Sequence, residues 1–220
     1  MSSDVKMPIN EEFVSIQGES THAGRVCYFI RFAGCNLRCS YCDTEYAWSA
    51  GAGTMCNVDE IVQRVVNSKV KLLEITGGEP LLQQNLNVLI ARLLDIGCEV
   101  LIETNGSCDI STLPRGVKRI LDCKLPGSGM SEYNLYENYK FLRDGDEIKF
   151  VISDEKDYEF SKKIIDQYKL SDSPATLIFS TVFGAITPEK LAELMIRDNV
   201  PARLQLQMHK YIWPPDRVGV

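Results

Sequence analysis

The sequence has no apolar run approaching the ~20 residues that cross a bilayer, so no membrane role is expected. Its start, Met1-Ser2-Ser3-Asp4-Val5-Lys6, has no apolar signal core, which makes the cytoplasm the expected compartment. Positive charge is in short supply: 24 Lys and Arg against 30 Asp and Glu leave a net −6. Such a balance offers no broad footprint for a polyanion, and tight binding to DNA or tRNA is not expected. No internal repeat, low-complexity tract or linker divides the chain. With 45% hydrophobic and 25% charged residues, 1–220 reads as a single domain with a sizeable core.

What the chain does contain is eight cysteines. In a cytosolic setting these are kept as thiols, which favours metal or redox chemistry over cross-links. Three of them fall in one short loop, Gly34-Cys35-Asn36-Leu37-Arg38-Cys39-Ser40-Tyr41-Cys42-Asp43-Thr44, directly after an apolar strand-like run. Thiolates are soft ligands for zinc or iron–sulfur clusters, and a cubane cluster is normally held by four of them. Three can hold three irons and leave the fourth open to a small molecule. A zinc site would need a fourth ligand from elsewhere, such as Cys27, Cys56 or His22, and no second Cys-x-x-Cys-like pair is present.

Along the chain, β-branched and aromatic runs predict strands at 25–33, 70–76, 98–103, 117–122, 147–152, 175–179 and 202–207. Helical spacing and capping residues predict helices at 57–68, 82–96, 133–142, 156–168 and 187–198. The region between Cys108 and Asp122 lacks a crossover helix. This alternation implies an α/β fold with a parallel sheet, here a partial, incomplete TIM-like barrel open on one side. The polar motifs follow the strands, where such folds carry their sites. One is Gly77-Gly78-Glu79-Pro80, whose glycines let backbone approach a ligand or simply turn the chain. Glu103, Thr104 and Asn105 either face the same site or cap and turn the chain.

The cysteine triad, with Tyr41 before its last member, and the glycine turn one βα unit later together resemble the signatures of the radical S-adenosylmethionine (SAM) superfamily. The resemblance implies a [4Fe–4S] cluster on Cys35, Cys39 and Cys42, with SAM chelated by the open iron. It places Tyr41, Cys42 and Asp43 beside SAM, with Gly78 and Glu79 near its amino group. Asp122, Cys123 and Lys124, then Ser153, then Gln205, Leu206, Gln207 and Met208 line the rest of it. Asp122 and Lys124 read equally well as a solvated strand end.

Beyond that core, Ser15-Ile16-Gln17-Gly18-Glu19-Ser20, Gly24, Arg31, Cys42-Asp43-Thr44 and His209-Lys210 with Trp213 resemble the 7-carboxy-7-deazaguanine synthase family over nearly the whole chain. The short spacing between Cys35 and Cys39 lacks the long insertion some members carry. The resemblance implies radical conversion of 6-carboxy-5,6,7,8-tetrahydropterin to 7-carboxy-7-deazaguanine, with hydrogen abstraction, ring contraction and loss of ammonia. It implies Mg²⁺ on the Thr44 hydroxyl, and a pterin bound by Ile16, Gln17, Gly18, Glu19, Arg31, Thr76 and the neighbourhood of Val220. Arg31 lies in an apolar strand, where a guanidinium needs a partner: a substrate carboxylate, or Glu19 or Asp43. A reducing partner such as flavodoxin or ferredoxin and a homodimer are also implied. Two rivals share parts of the pattern: an activase that puts a glycyl radical on a partner protein, and a non-catalytic metal-binding module.

Overall fold

The run Val-Cys-Tyr-Phe-Ile-Arg-Phe forms a strand, β2 (Val26–Phe32), set within a nine-stranded sheet. The computed structural model describes residues 5–220. β2 pairs antiparallel with β1 (Lys6–Ile16), which in turn pairs antiparallel with the short β3 (Thr54–Asn57). On its other side β2 starts a parallel series. That series continues through β4 (Leu72–Gly77), β5 (Glu99–Thr104), β6 (Val117–Asp122), β7 (Glu147–Ile152), β8 (Thr176–Thr181) and β9 (Arg203–Gln205). The first and last strands in the order are β3 and β9, so the sheet does not close. This is the expected incomplete barrel of parallel strands.

Helices cover the outer face. α1 (Val58–Ser68) starts on a capping box: Asn57 accepts from the Asp59 N–H and Glu60 reaches back to the Asn57 N–H. Its Ile61 and Val65 pack with Leu89, Ile90 and Leu93 of α2 (Leu86–Asp95) onto Ile30, Phe32, Leu73, Ile75, Val100 and Ile102. α3 (Glu155–Gln167) and α4 (Pro188–Asp198) bury Tyr158, Ile164, Leu191 and Leu194 against Phe150 and Phe179. Each ring buried in this way contributes about 1.5–3 kcal/mol. Because strand side chains alternate, the next residue along each strand points inward. Phe29, Leu101 and Ile120 close the inner floor with Phe13, whose ring stacks on Phe29 at 4.8 Å. No helix among the described residues is long and apolar enough to cross a membrane.

Three expectations from the sequence need correction. The helix expected at 133–142 is two 3₁₀ stretches, Ser131–Tyr133 and Tyr136–Phe141. Here Asn134 donates to the Lys124 and Ser131 carbonyls, and Asn138 donates to the Cys108 carbonyl, so side chains hold an irregular backbone. The helix expected at 82–96 begins at Leu86, after a 3₁₀ turn over Pro80–Leu82. Neither β1 nor β3 has a counterpart among the expected strands; Pro8, Asn10, Glu11 and Glu12 dilute the apolar pattern of β1. The link between β5 and β6 has no helix, as the sequence implies.

Candidate active site

The loops after the parallel strands surround one cavity of about 520 Å³. Cys35, Cys39 and Cys42 all line it, and all three are free thiols of intermediate exposure. Their loop is pinned from three sides. Gly34 and Cys35 donate backbone N–H groups to the Ala47 and Trp48 carbonyls, at 2.8 and 3.1 Å. From the β6–β7 connection, Ser128 O accepts from the Ser40 N–H and Gly127 O accepts from Ser40 Oγ, at 3.0 and 2.7 Å. The Arg38 guanidinium sits 5.1 Å over the Trp48 ring.

The donor set suits sulfur. Leu37 N lies 3.4 Å from Cys35 Sγ and Asn105 Nδ2 lies 3.8 Å from it. Burial raises the pKa of Cys39 while the Lys124 charge lowers it; burial likewise raises Cys42 while the Thr44 N–H lowers it. No three His, Cys, Asp or Glu side chains among the described residues converge on a single ion. Three thiols in one loop, with the Leu37 N–H and the Asn105 amide as donors beside Cys35 Sγ, suit an iron–sulfur cluster whose fourth iron stays open to a ligand.

The double glycine abuts this loop. Gly78 donates to the Phe32 carbonyl at 3.0 Å, and Glu79 donates to the Gly34 carbonyl at 2.8 Å. A Cβ on Gly78 would stand 2.3 Å from Gly34 O and 2.8 Å from Cys35 Cβ. Gly78→Ala is therefore expected to push the cysteine loop away and lower iron bound after anaerobic reconstitution, by about tenfold in affinity for the cluster; iron analysis checks it. Glu79 does not line the cavity. Its fully buried carboxylate accepts from the Leu81 and Asn105 N–H groups and the Thr104 hydroxyl, tying the β4 and β5 loops together. Burial pushes its pKa up to about 7 against those three donors.

Of the other residues expected around SAM, Tyr41, Asp43, Asp122, Lys124 and Gln207 line the cavity. Tyr41 donates to the Val151 carbonyl at 3.2 Å. Lys124 Nζ lies 2.7 Å from Asp122 Oδ2, a partly buried pair rather than a solvated strand end. The rest sit elsewhere. Cys123 packs in the core among Leu125, Ile148 and Phe150. Ser153 Oγ donates to the buried Asp157 and does not line the cavity. Gln205 donates to and accepts from the Ser20 backbone at 2.6 and 2.7 Å, clamping β9 to the loop after β1. Leu206 and Met208 are exposed.

The residues expected to hold the pterin all line the cavity: Ile16, Gln17, Gly18, Glu19, Arg31, Thr76 and Val220. Arg31 pairs with neither Glu19 nor Asp43; its Nε lies 2.7 Å from Glu11 Oε1, which also accepts from Tyr46 Oη. Thr44 Oγ1 donates to Asp43 Oδ1 at 2.8 Å, and Asp43 pairs with Lys210 at 3.2 Å. Lys210 follows His209, and the tail from Pro215 to Val220 completes the wall.

One cation that lines the cavity, Lys149, is not among the residues expected from the sequence. Lys149 Nζ contacts Glu103, and lies 3.0 Å from Glu19 and 3.5 Å from Asp122. Burial alone would lower its pKa, but Asp122, Glu103 and Glu19 together raise it well above the usual lysine range. The available signal was a lysine and a glutamate alternating inside the otherwise apolar strand Glu147–Ile152, since parallel strands are normally apolar on both faces.

Comparison with known proteins places these features in a family. Residues 29–196 match the model of the radical SAM superfamily. The chain is 42% identical to the 7-carboxy-7-deazaguanine synthase of Chlorobaculum tepidum, with both chains covered fully. It is 41% identical to that of Clostridium acetobutylicum, over 96% of this chain and 97% of the relative. In structure it is similar to QueE from Escherichia coli, with a TM-score of 0.73 at 23% identity over 93% of this chain and 95% of the other.

Proposed function

We infer, for a chain that belongs to the radical SAM superfamily and within it to the 7-carboxy-7-deazaguanine synthase family, that its cavity converts 6-carboxy-5,6,7,8-tetrahydropterin to 7-carboxy-7-deazaguanine with loss of ammonia. The chain is a radical SAM carbon–nitrogen lyase of the route to queuosine and other 7-deazapurines. The observation behind this reading is that the thiol triad, the double-glycine turn, Gln17, Arg31 and Thr44 share one cavity. Cys35, Cys39 and Cys42 hold the cluster. Bound there with SAM, the cluster would supply hydrogen-abstracting radical chemistry, with a small reducing protein such as flavodoxin or ferredoxin as the electron source.

The chain's own residues position and shield the substrate. Arg31 spends its Nε on Glu11, which leaves the terminal N–H groups of the guanidinium for the substrate carboxylate. Gln17 and Glu103 offer an amide and a carboxylate to the amino-pyrimidine edge. Phe183 and the 215–220 tail, lining the same space, keep water from the reacting carbon. Two copies of the chain form the working dimer.

Mg²⁺ takes few protein oxygens and fills the rest of its octahedron with water and substrate. Thr44 supplies one such oxygen, oriented by Asp43, which Lys210 holds in place. Thr44→Ala is expected to raise the Mg²⁺ concentration for half-maximal turnover by about tenfold, read from a Mg²⁺ titration of rate. The reading as a whole is tested by anaerobic incubation with SAM, a reductant, Mg²⁺ and the carboxytetrahydropterin, followed by mass spectrometry. Expected is a product lighter than substrate by one ammonia, with SAM not consumed. Absence of that product from iron-replete protein overturns the reading.

A further inference from the structure

One acid in the cavity has no role in the division of labour above. Glu74 stands in the middle of β4, is 4% exposed and lines the cavity. Glu19, Glu103 and Asp122 all pair with Lys149, and Asp122 also with Lys124. Glu74 has no cationic partner among the described residues. Its Oε2 accepts from Gln17 Nε2, and its Oε1 has no hydrogen-bond partner among them. Gln17 cannot turn over to offer its oxygen instead, because that oxygen already accepts from the Glu19 N–H at 3.0 Å. A carboxyl oxygen without a hydrogen-bond partner, on a side chain that lines a cavity, is where a ligand atom belongs.

Burial, reinforced by the Glu103 and Glu19 charges and opposed by Lys149, raises the Glu74 pKa well above the carboxylate range. Burial also raises Glu103, but direct contact with Lys149 keeps that group the more acidic of the two. A neutral carboxyl at Glu74 then accepts through Oε2 and donates through an O–H on Oε1. In register, Glu74 pairs with Leu101, so Glu103 follows one inward-facing position later on the adjacent strand. The cavity thus sets an O–H donor beside a carboxylate acceptor.

We propose that Glu74 is a specificity-determining residue, whose Oε1 hydroxyl donates to the 4-oxo oxygen of a 2-amino-4-oxopyrimidine ring. The assignment rests on the pterin reading above. A 4-amino ring would set donor against donor at this point, and a buried mismatch of that kind rejects a ligand strongly.

The test uses two oxidised, non-reacting ligands, 6-carboxypterin and 2,4-diamino-6-carboxypteridine, titrated by their fluorescence into anaerobically reconstituted protein. Wild type is expected to prefer the 4-oxo ligand by at least about tenfold. Glu74→Gln is expected to keep that preference: its carbonyl must face the fixed Gln17 N–H, so its amide nitrogen takes the place of the hydroxyl. Glu74→Leu, of similar size but without a donor, is expected to fall to about threefold or less. Iron content and circular dichroism report the fold of each variant. A Glu74→Leu protein with the wild-type preference, or a Glu74→Gln protein as unselective as Glu74→Leu, overturns the assignment alone. Wild type that binds neither pteridine overturns the pterin reading, and the assignment with it.

Discussion

Replacing Lys149 with methionine is expected to cost the folded protein about 3–5 kcal/mol at neutral pH, seen as a lower urea midpoint under anaerobic conditions, and to remove turnover. The reason is the number of acids that share this one ammonium. Glu19, Glu103 and Asp122 all contact it, and its side chain is 6% exposed. Methionine fills the space but leaves three partly buried carboxyl groups without their common cation. Since the folded state raises the pKa of Lys149, its contribution is complete below the unfolded value of about 10.4 and is lost only far into the alkaline range. The whole deficit is therefore present at pH 7.

The pH dependence of the variant separates charge from packing. In wild type, burial works to raise Glu19 and Asp122, but Lys149 for the first, and Lys124 then Lys149 for the second, bring both below the usual range. Their contribution is present above the unfolded pKa values of about 4 and falls away as the solution is acidified. In Lys149→Met burial is opposed by less positive charge, and taking up protons relieves it. The gap between variant and wild type is expected to narrow as pH falls from 7 towards 5. A Lys149→Met, Glu103→Gln double variant is expected to recover part of the loss at pH 7, because one fewer buried charge is left unpaired. A gap that is constant with pH would assign the effect to packing.

This network also shows where the sequence stops being informative. The parallel strands and most helices were legible because β-branched runs and capping residues are local signals, as in Val26–Phe32 and the Asn57 cap. The thiol loop and the double glycine were legible because their chemistry depends on spacing. Which distant side chains meet is a property of register, and a one-residue shift would turn Lys149 outward. Glu74 and Lys149 lie on strands separated in the sheet by β5 and β6, so no local pattern links them. Arg31 shows the same limit: its strand announced a buried guanidinium, but Glu11 became its partner only through the β1–β2 pairing, which sets the two residues opposite each other. Cys123 and Ser153 come directly after β6 and β7, whose Asp122 and Val151 line the cavity, yet neither lines it: Cys123 packs in the core and Ser153 bonds to Asp157.

Cys39→Ala is expected to lower iron from about four atoms per chain to less than one, and with it SAM cleavage below detection, while the helical and sheet signals in circular dichroism persist. The loop does not need its sulfur to hold shape: the Ser40 contacts to Gly127 and Ser128 and the Gly34 and Cys35 contacts to Ala47 and Trp48 involve backbone and a hydroxyl. Nor can another thiol replace it. Cys27, Cys98 and Cys123 are buried. Cys56 and Cys108 do not line the cavity, and Asn138 fixes the Cys108 backbone, donating to its carbonyl at 2.8 Å and accepting from the Ile110 N–H at 3.1 Å. Cys98→Ala and Cys108→Ala are accordingly expected to retain wild-type iron. The contrast between positions is what matters, because a structural zinc on the same three thiols would also be lost in Cys39→Ala. Wild type that takes up a single zinc and no iron–sulfur absorbance, or a Cys39→Ala protein that keeps its full iron complement, would remove the foundation on which the cavity's chemistry is built.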